Sequence, residues 1–291
     1  MNRSLEVFNK IYKPYKITKK SNVYILNTME GDYAIKLDPK IDYPKLYSYL
    51  YSRNFNYLPN LSKDSRDDMV VLEYQEDLSI DDNQKALDLI NLVALLHTKT
   101  SYFKEVPPDT YKEIYENIKN NLDYVDNLYN SMFDSFLAEE YLPPSHYLFL
   151  RNYSLIYNAI NYSRSKVDEW YNDIKDKTKE RMSLVHNNLR LDHLIKNKEE
   201  YLISWDAYTF DTPVLDLYNL YKNEWDNVEF ASVFATYNSS FSLLDEEKKL
   251  LDILISIPYE VEVTKSEYQN CRNIRHLIDY LSKSSKIVLA S

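Results

Sequence analysis

The 291-residue sequence contains a single glycine, Gly31. Loops that cradle phosphate bring backbone N–H groups against a nucleotide, and any Cβ obstructs that approach. One glycine cannot write a P-loop, a dinucleotide fingerprint or a glycine-rich flap. A genome biased toward Lys, Asn, Tyr and Ile codons would produce the same scarcity, and the 29 tyrosines fit that bias. Ordinary nucleotide cradling is weakened on either account.

Other counts narrow the class further. A length of 291 residues allows one large domain or two lobes with ample surface to bury. A charged fraction of 27% is that of a folded globular chain. The formal charge of −10 argues against a nucleic-acid footprint, which needs a basic face. One cysteine, Cys271, excludes a disulfide framework and a Cys-rich zinc module. No stretch approaches the ~18 uninterrupted apolar residues of a membrane span. The first residues, MNRSLEVFNKIYK, lack the apolar core of a signal peptide, so the expected location is the cytoplasm.

Residues 15–18, 23–28 and 32–36 read as short strands, with Glu30-Gly31-Asp32 turning between the second and third. Residues 43–52 read as a helix, and residues 69–74 as a strand after a polar loop over 62–68. Asp81 or Asp82 caps a helix whose apolar positions Ala86, Leu89, Ile90, Val93 and Leu96 recur at helical spacing. The pattern over 107–179 is helical, interrupted at Pro143-Pro144. Two extended runs follow at 182–185 and 201–205. Pro213 then opens a helix capped by Asp211 or Thr212, and three more helices lie near 226–241, 244–256 and 265–284.

Three fragments in this order carry a resemblance. They are Tyr33-Ala34-Ile35-Lys36; the stretch from Val185 through His186-Asn187-Asn188-Leu189 to His193-Leu194-Ile195; and Ile203-Ser204-Trp205-Asp206, followed by Phe210-Asp211-Thr212-Pro213-Val214-Leu215-Asp216-Leu217. Together with the helix ending Leu95-Leu96-His97, they resemble the aminoglycoside phosphotransferase and choline-kinase-like superfamily. The paired long helices before His186 are most similar to its bacterial spore-coat, CotS-like branch. The resemblance spans nearly the whole chain. It implies a bilobal, protein-kinase-like α+β fold: a small antiparallel-sheet lobe over 1–75 and a large, mostly helical lobe over 76–291.

The family pattern is roughly His-Gly-Asp, an Asn after four further residues, and an Ile-Asp-Trp beyond. In such an enzyme the first Asp takes the hydroxyl proton, while the Asn and second Asp hold Mg²⁺. The corresponding residues here are Asn188, His193 and Ser204, all changed. Asn188 has no carboxylate, Ser204 offers Mg²⁺ a neutral oxygen, and the imidazole of His193 suits softer metals. The lysine's expected glutamate partner is missing too, since no Glu lies between Glu30 and Glu73; Tyr47, Tyr49 and Tyr51 occupy that neighbourhood. Asp206 is the one candidate replacement metal ligand. It would share a face with Ser204 if the strand stayed extended past Trp205.

The retained positions are of another kind. The resemblance implies that His186 packs and hydrogen-bonds beneath the loop and that Asp216 holds the loop backbone. Lys36, Glu73 and Tyr74 stand at the nucleotide-contact positions. Retained scaffold with lost chemistry is the pattern of a pseudokinase, a binding or scaffold protein with an unidentified protein or small-molecule partner and a spore-coat connection. The alternative is a working ATP- and Mg²⁺-dependent small-molecule kinase with unusual ligands, whose acid would be Asp192, Asp206 or Asp211. A structural coat component with an idle cleft is a third class. His97 reads as a core histidine, and His146, His276 and Cys271 have no spacing that makes a site.

Overall fold

Alternation of side chains along four short strands builds the N-terminal sheet in a computed structural model that describes residues 10–20, 22–107 and 109–290. Strands β1 (Lys16–Lys20), β2 (Val23–Asn27), β3 (Asp32–Leu37) and β4 (Met69–Glu73) pair antiparallel in that order. Gly31 serves the β2–β3 turn with a φ of 148°, a backbone setting that L side chains rarely adopt. The register decides which residues share a face. Ile25, Ala34 and Leu72 stand in one cross-strand row and Val23, Lys36 and Val70 in the next. On the opposite face Leu26, Ile35, Met69 and Val71 form their own small core.

Helix α1 (Tyr43–Ser52) starts where the Asp42 side chain accepts from the Lys45 backbone N–H, with Pro44 in the first turn. Its buried stripe of Tyr43, Leu46, Tyr47 and Leu50 joins the larger core. Asp81 does cap α2 (Asp82–Thr100), accepting from Asn83 and Gln84. The helical stretch expected over 107–179 resolves into α3 (Thr110–Leu137) and α4 (Pro144–Ile174), and Pro144 opens the second helix. Helices α5 (Val214–Glu224), α6 (Phe230–Ser240), α7 (Asp245–Ser256) and α8 (Glu267–Ala290) complete the order. The result is a bilobal α+β architecture, a small antiparallel sheet followed by a large, mostly helical lobe. Among the described residues no helix is long and apolar enough to cross a membrane.

Three local features differ from the sequence expectations. Strand β5 (Tyr102–Glu105) pairs with β6 (Lys179–Val185), which pairs with β9 (Thr209–Asp211). All four β5 residues are exposed, so no apolar alternation marks the strand; a partner more than 70 residues away defines it. The expected strand over 201–205 is really β8 (Glu200–Leu202), hairpinned to β7 (Leu194–Lys196), and Trp205 sits in a 3₁₀ turn. Neither Asp211 nor Thr212 caps α5; Pro213 occupies the cap, and the Asp211 side chain accepts from the Thr212 N–H at 2.7 Å.

Strand β6 delivers the chain to the loop at His186 and carries a carboxyl group in an unfavourable place. Burial first, then the charges of Asp211 and Glu247, push the Glu180 pKa up to about 7, with Lys104 opposing. The folded chain therefore holds this proton at a pH where the unfolded chain has released it, and stability falls as pH rises from the ordinary glutamate range through 7. Glu180→Gln is expected to stabilise the protein at pH 8 by about 1 kcal/mol after solvent screening. It should change little at pH 4. Urea denaturation at both pH values checks this.

Candidate functional site

The loop after β6 hangs from one buried carboxylate on α5. Asp216 accepts from the backbone N–H of His186 at 2.8 Å and of Asn187 at 2.6 Å. It also takes the Nε2 of His97 at 3.1 Å, while the Nδ1 of His97 meets the Tyr237 hydroxyl at 2.7 Å. Asp216, His186 and His97 are all fully buried. His186 Nε2–H donates to the Ile203 carbonyl at 2.7 Å, and burial pushes the imidazole pKa down. The same face of α5 supplies more anchors at helical spacing. Asn219 donates to the Asn187 side chain at 3.1 Å, Asn223 to the Leu189 carbonyl at 2.8 Å, and Glu224 accepts from the Leu191 N–H at 3.1 Å. Of these, the sequence reading had named only Asp216. The spacing 216, 219, 223 after Pro213 would have found two more.

Asn187 adopts a φ of 59°, where the family pattern has glycine. Asn tolerates the left-handed region better than other side-chain-bearing residues, so the loop keeps its bend without a glycine.

Lys36 meets the second lobe directly. Its ammonium forms an ion pair with Asp206, whose other oxygen accepts from the Tyr43 hydroxyl at 3.3 Å. Burial pushes the Tyr43 hydroxyl up to about 12, so it stays a donor. Burial, then the charge of Lys40, lowers the Lys36 pKa. The strand does not stay extended past Trp205. Ser204 is left-handed at φ 67° and ψ 44°, and Trp205–Ala207 form a 3₁₀ turn. Asp206 therefore reaches the cleft by a turn and not by strand alternation. Tyr47, Tyr49 and Tyr51 do not take the place of the lysine's partner. Tyr47 is buried, Tyr49 packs its ring 5.4 Å from Phe210, and Tyr51 is exposed.

A cavity of about 490 Å³ lies between the sheet and the loop. Lys36, Glu73 and Tyr74 line it from the first lobe, and Asn188, His193, Ser204 and Asp206 from the second. His186 and Asp216 stand outside it, beneath the loop. Asp192 also lines the cavity; Asp211 does not. The Tyr74 N–H is engaged with the Asp32 carbonyl at 2.8 Å, and Asn60 donates to the Glu73 side chain at 2.6 Å. His193 is buried, and burial followed by the nearby His186 lowers its pKa to about 4.

No protein-family model matches the chain, and no curated protein matches it. Solved structures do. The aminoglycoside phosphotransferase of Alicyclobacillus acidocaldarius subsp. acidocaldarius superposes with a TM-score of 0.65 at 10% identity, over 96% of this chain and 93% of that one. A spectinomycin phosphotransferase in complex with AMP superposes with a TM-score of 0.60 at 12% identity, over 99% and 98% of the two chains. This chain has the aminoglycoside phosphotransferase fold.

Within the phosphotransferase fold, the residues at the implied metal-ligand positions fit Mg²⁺ poorly. That ion takes near-octahedral oxygen ligands and favours carboxylates. Here the positions offer a neutral hydroxyl, a buried imidazole and a carboxylate already paired with Lys36. Among the described residues no three His, Cys, Asp or Glu side chains converge as a metal site.

Replacing Asp216 by Asn turns one of its acceptor oxygens into a donor facing a buried N–H. Asp216→Asn is expected to cost about 3 kcal/mol, whereas Asn188→Ala, at an exposed position, should stay within about 0.5 kcal/mol. Paired urea denaturation curves check the contrast.

Proposed function

We propose that this chain is a catalytically degenerate member of the phosphotransferase fold, acting as a binding or scaffold protein through its inter-lobe cleft. One observation carries the reading. The support beneath the loop is complete, with Asp216 gathering His186 and Asn187, yet the position in front of it is the uncharged Asn188. Loss of a general base alone costs on the order of 10²–10⁴-fold in rate. Loss of a metal removes roughly several kcal/mol more of charge stabilisation. Selection for shape without chemistry leaves this combination. Association with a spore coat is the setting suggested by the paired long helices before His186, which resemble the CotS-like branch.

The active-kinase reading draws support from Asp192 and Asp206, two carboxylates that do line the cavity. Asp206 would have to leave Lys36 to serve it. The two readings part on metal dependence and turnover. Calorimetric titration with AMP, ADP and ATP is expected to show no gain in affinity on adding Mg²⁺ or Mn²⁺. No phosphoryl transfer to hydroxyl or amine acceptors should be detected. Metal-dependent binding accompanied by transfer that Asp206→Asn abolishes would replace the scaffold reading with the enzyme.

A further inference from the structure

Strand β5 is the open edge of a sheet, and that edge is aromatic. The order β5-β6-β9 leaves β5 with one neighbour. The Val106 N–H donates to the Thr178 carbonyl, and these two residues stand opposite each other when the β5–β6 register is continued. Opposed residues in an antiparallel pair alternate between bonded and non-bonded positions, so this one bond sets the phase of the ladder. Tyr102 and Lys104 turn their backbone groups toward β6, while Phe103 and Glu105 turn theirs away. Among the described residues nothing bonds to those outward groups. The side chains are uncovered as well, with Phe103 63% exposed and Tyr102 43%.

Unpaired N–H and C=O groups along an edge are a template for another strand, and proteins blunt them with charge. Strand β1 shows that device in this chain, carrying Lys16, Lys19 and Lys20 at the edge of the first sheet. Strand β5 has one lysine, one glutamate and two aromatic rings.

Its side chains favour a second copy of the same strand. Two copies related by a twofold axis pair antiparallel, and outward groups must meet outward groups. Three registers engage both Phe103 and Glu105. One opposes Glu105 to Glu105, and a second, pairing Phe103 with Glu105, opposes Lys104 to Lys104. Like charges directly opposite are destabilising. The third opposes Phe103 to Phe103, Tyr102 to Lys104 and Glu105 to Ser101, with no like charges facing. There the Phe103 pair exchanges two hydrogen bonds, and each Glu105 N–H meets a Ser101 carbonyl. The Ser101 N–H is already bonded to His97. Each Lys104 ammonium stands beside a Tyr102 ring, a favourable setting for a cation over an aromatic face. Arg181, opposite Phe103 on β6, is held by Glu247 and the Phe241 ring, so it adds no loose charge to the seam.

We propose that β5 is a self-association edge, through which two copies join their three-stranded sheets into one continuous sheet with Phe103 on the twofold axis. So short a strand buries less than the ~1,000 Å² of a stable interface, and the dimer is therefore weak and concentration-dependent.

Sedimentation velocity of the full chain from about 5 to about 500 µM tests this, with a monomer–dimer equilibrium expected in that range. Phe103→Asp sets two carboxylates against each other and should weaken the dimer at least about tenfold. Phe103→Pro removes an N–H that β6 does not use, so the fold should survive and the dimer be lost. If that variant melts early, Phe103→Asp decides. Oxidation in a Cys271→Ser background reads the register. Cα atoms of a bonded pair lie about 5.5 Å apart, within disulfide reach. Phe103→Cys should therefore cross-link two copies, and Lys104→Cys should not. A dimer that Phe103→Asp leaves unchanged overturns the proposal, as does a Lys104→Cys cross-link that forms faster than the Phe103→Cys one. A chain that stays monomeric throughout overturns it too, and leaves the edge to a different extended peptide.

Discussion

A buried carboxylate with three hydrogen-bonding groups around it governs this structure. Asp216 cannot be left unpaired, because an uncompensated buried charge costs several kcal/mol. It is satisfied by two backbone N–H groups of the loop and by His97, whose ring is fixed from the other side by Tyr237. The loop conformation is thereby set by elements that are far apart in sequence: α2 through His97, α5 through Asp216 and α6 through Tyr237. His186 extends the link to Ile203, so the turn carrying Ser204 and Asp206 is positioned from the same point. None of these contacts needs catalytic chemistry. The hub belongs to folding and does not depend on which residue stands in front of the loop.

The scarcity of glycine is met locally. Asp38, Asn54 and Asn187 take left-handed backbone at φ 48°, 56° and 59°, using the two side chains that accept this region with least penalty. Asn187 also recovers a side-chain hydrogen bond from Asn219. Ser204 is different. A left-handed serine stores on the order of 1–3 kcal/mol of strain, and it lies in the cleft where the family pattern places a metal-binding aspartate. That backbone turn brings Asp206 round to Lys36. Strain and ion pair are thus two sides of one arrangement, in which the first lobe's lysine is held by the second lobe.

Much of this was legible in the chain. Helices α2 and α5 announced themselves by apolar spacing and proline position, since a 3.6-residue period is a local property. The order of the motifs pointed to the fold, and Asp216 was assigned its place under the loop from the resemblance alone. His97 was legible as a core histidine because it follows an apolar run. Strand β5 was not legible, as its exposed residues carry no alternation and its pairing with β6 is long-range. The three tyrosines nearest in sequence to the expected glutamate were poor guides, because helix geometry turns Tyr43 toward Asp206 instead.

The sequence by itself determined the composition of the site: a neutral Asn188, a neutral Ser204, one lysine on β3 and one glycine for a single turn. Those identities follow from covalent structure and hold in any conformation. Which charges neutralise one another was decided only by tertiary structure. Lys36 and Asp206 are 170 residues apart, and their meeting depends on sheet register, on the left-handed turn at Ser204 and on the loop that Asp216 suspends. Electrostatic pairing acts over a few ångströms of space and carries no trace in sequence separation. The character of the cleft therefore emerges only when the two lobes close on each other.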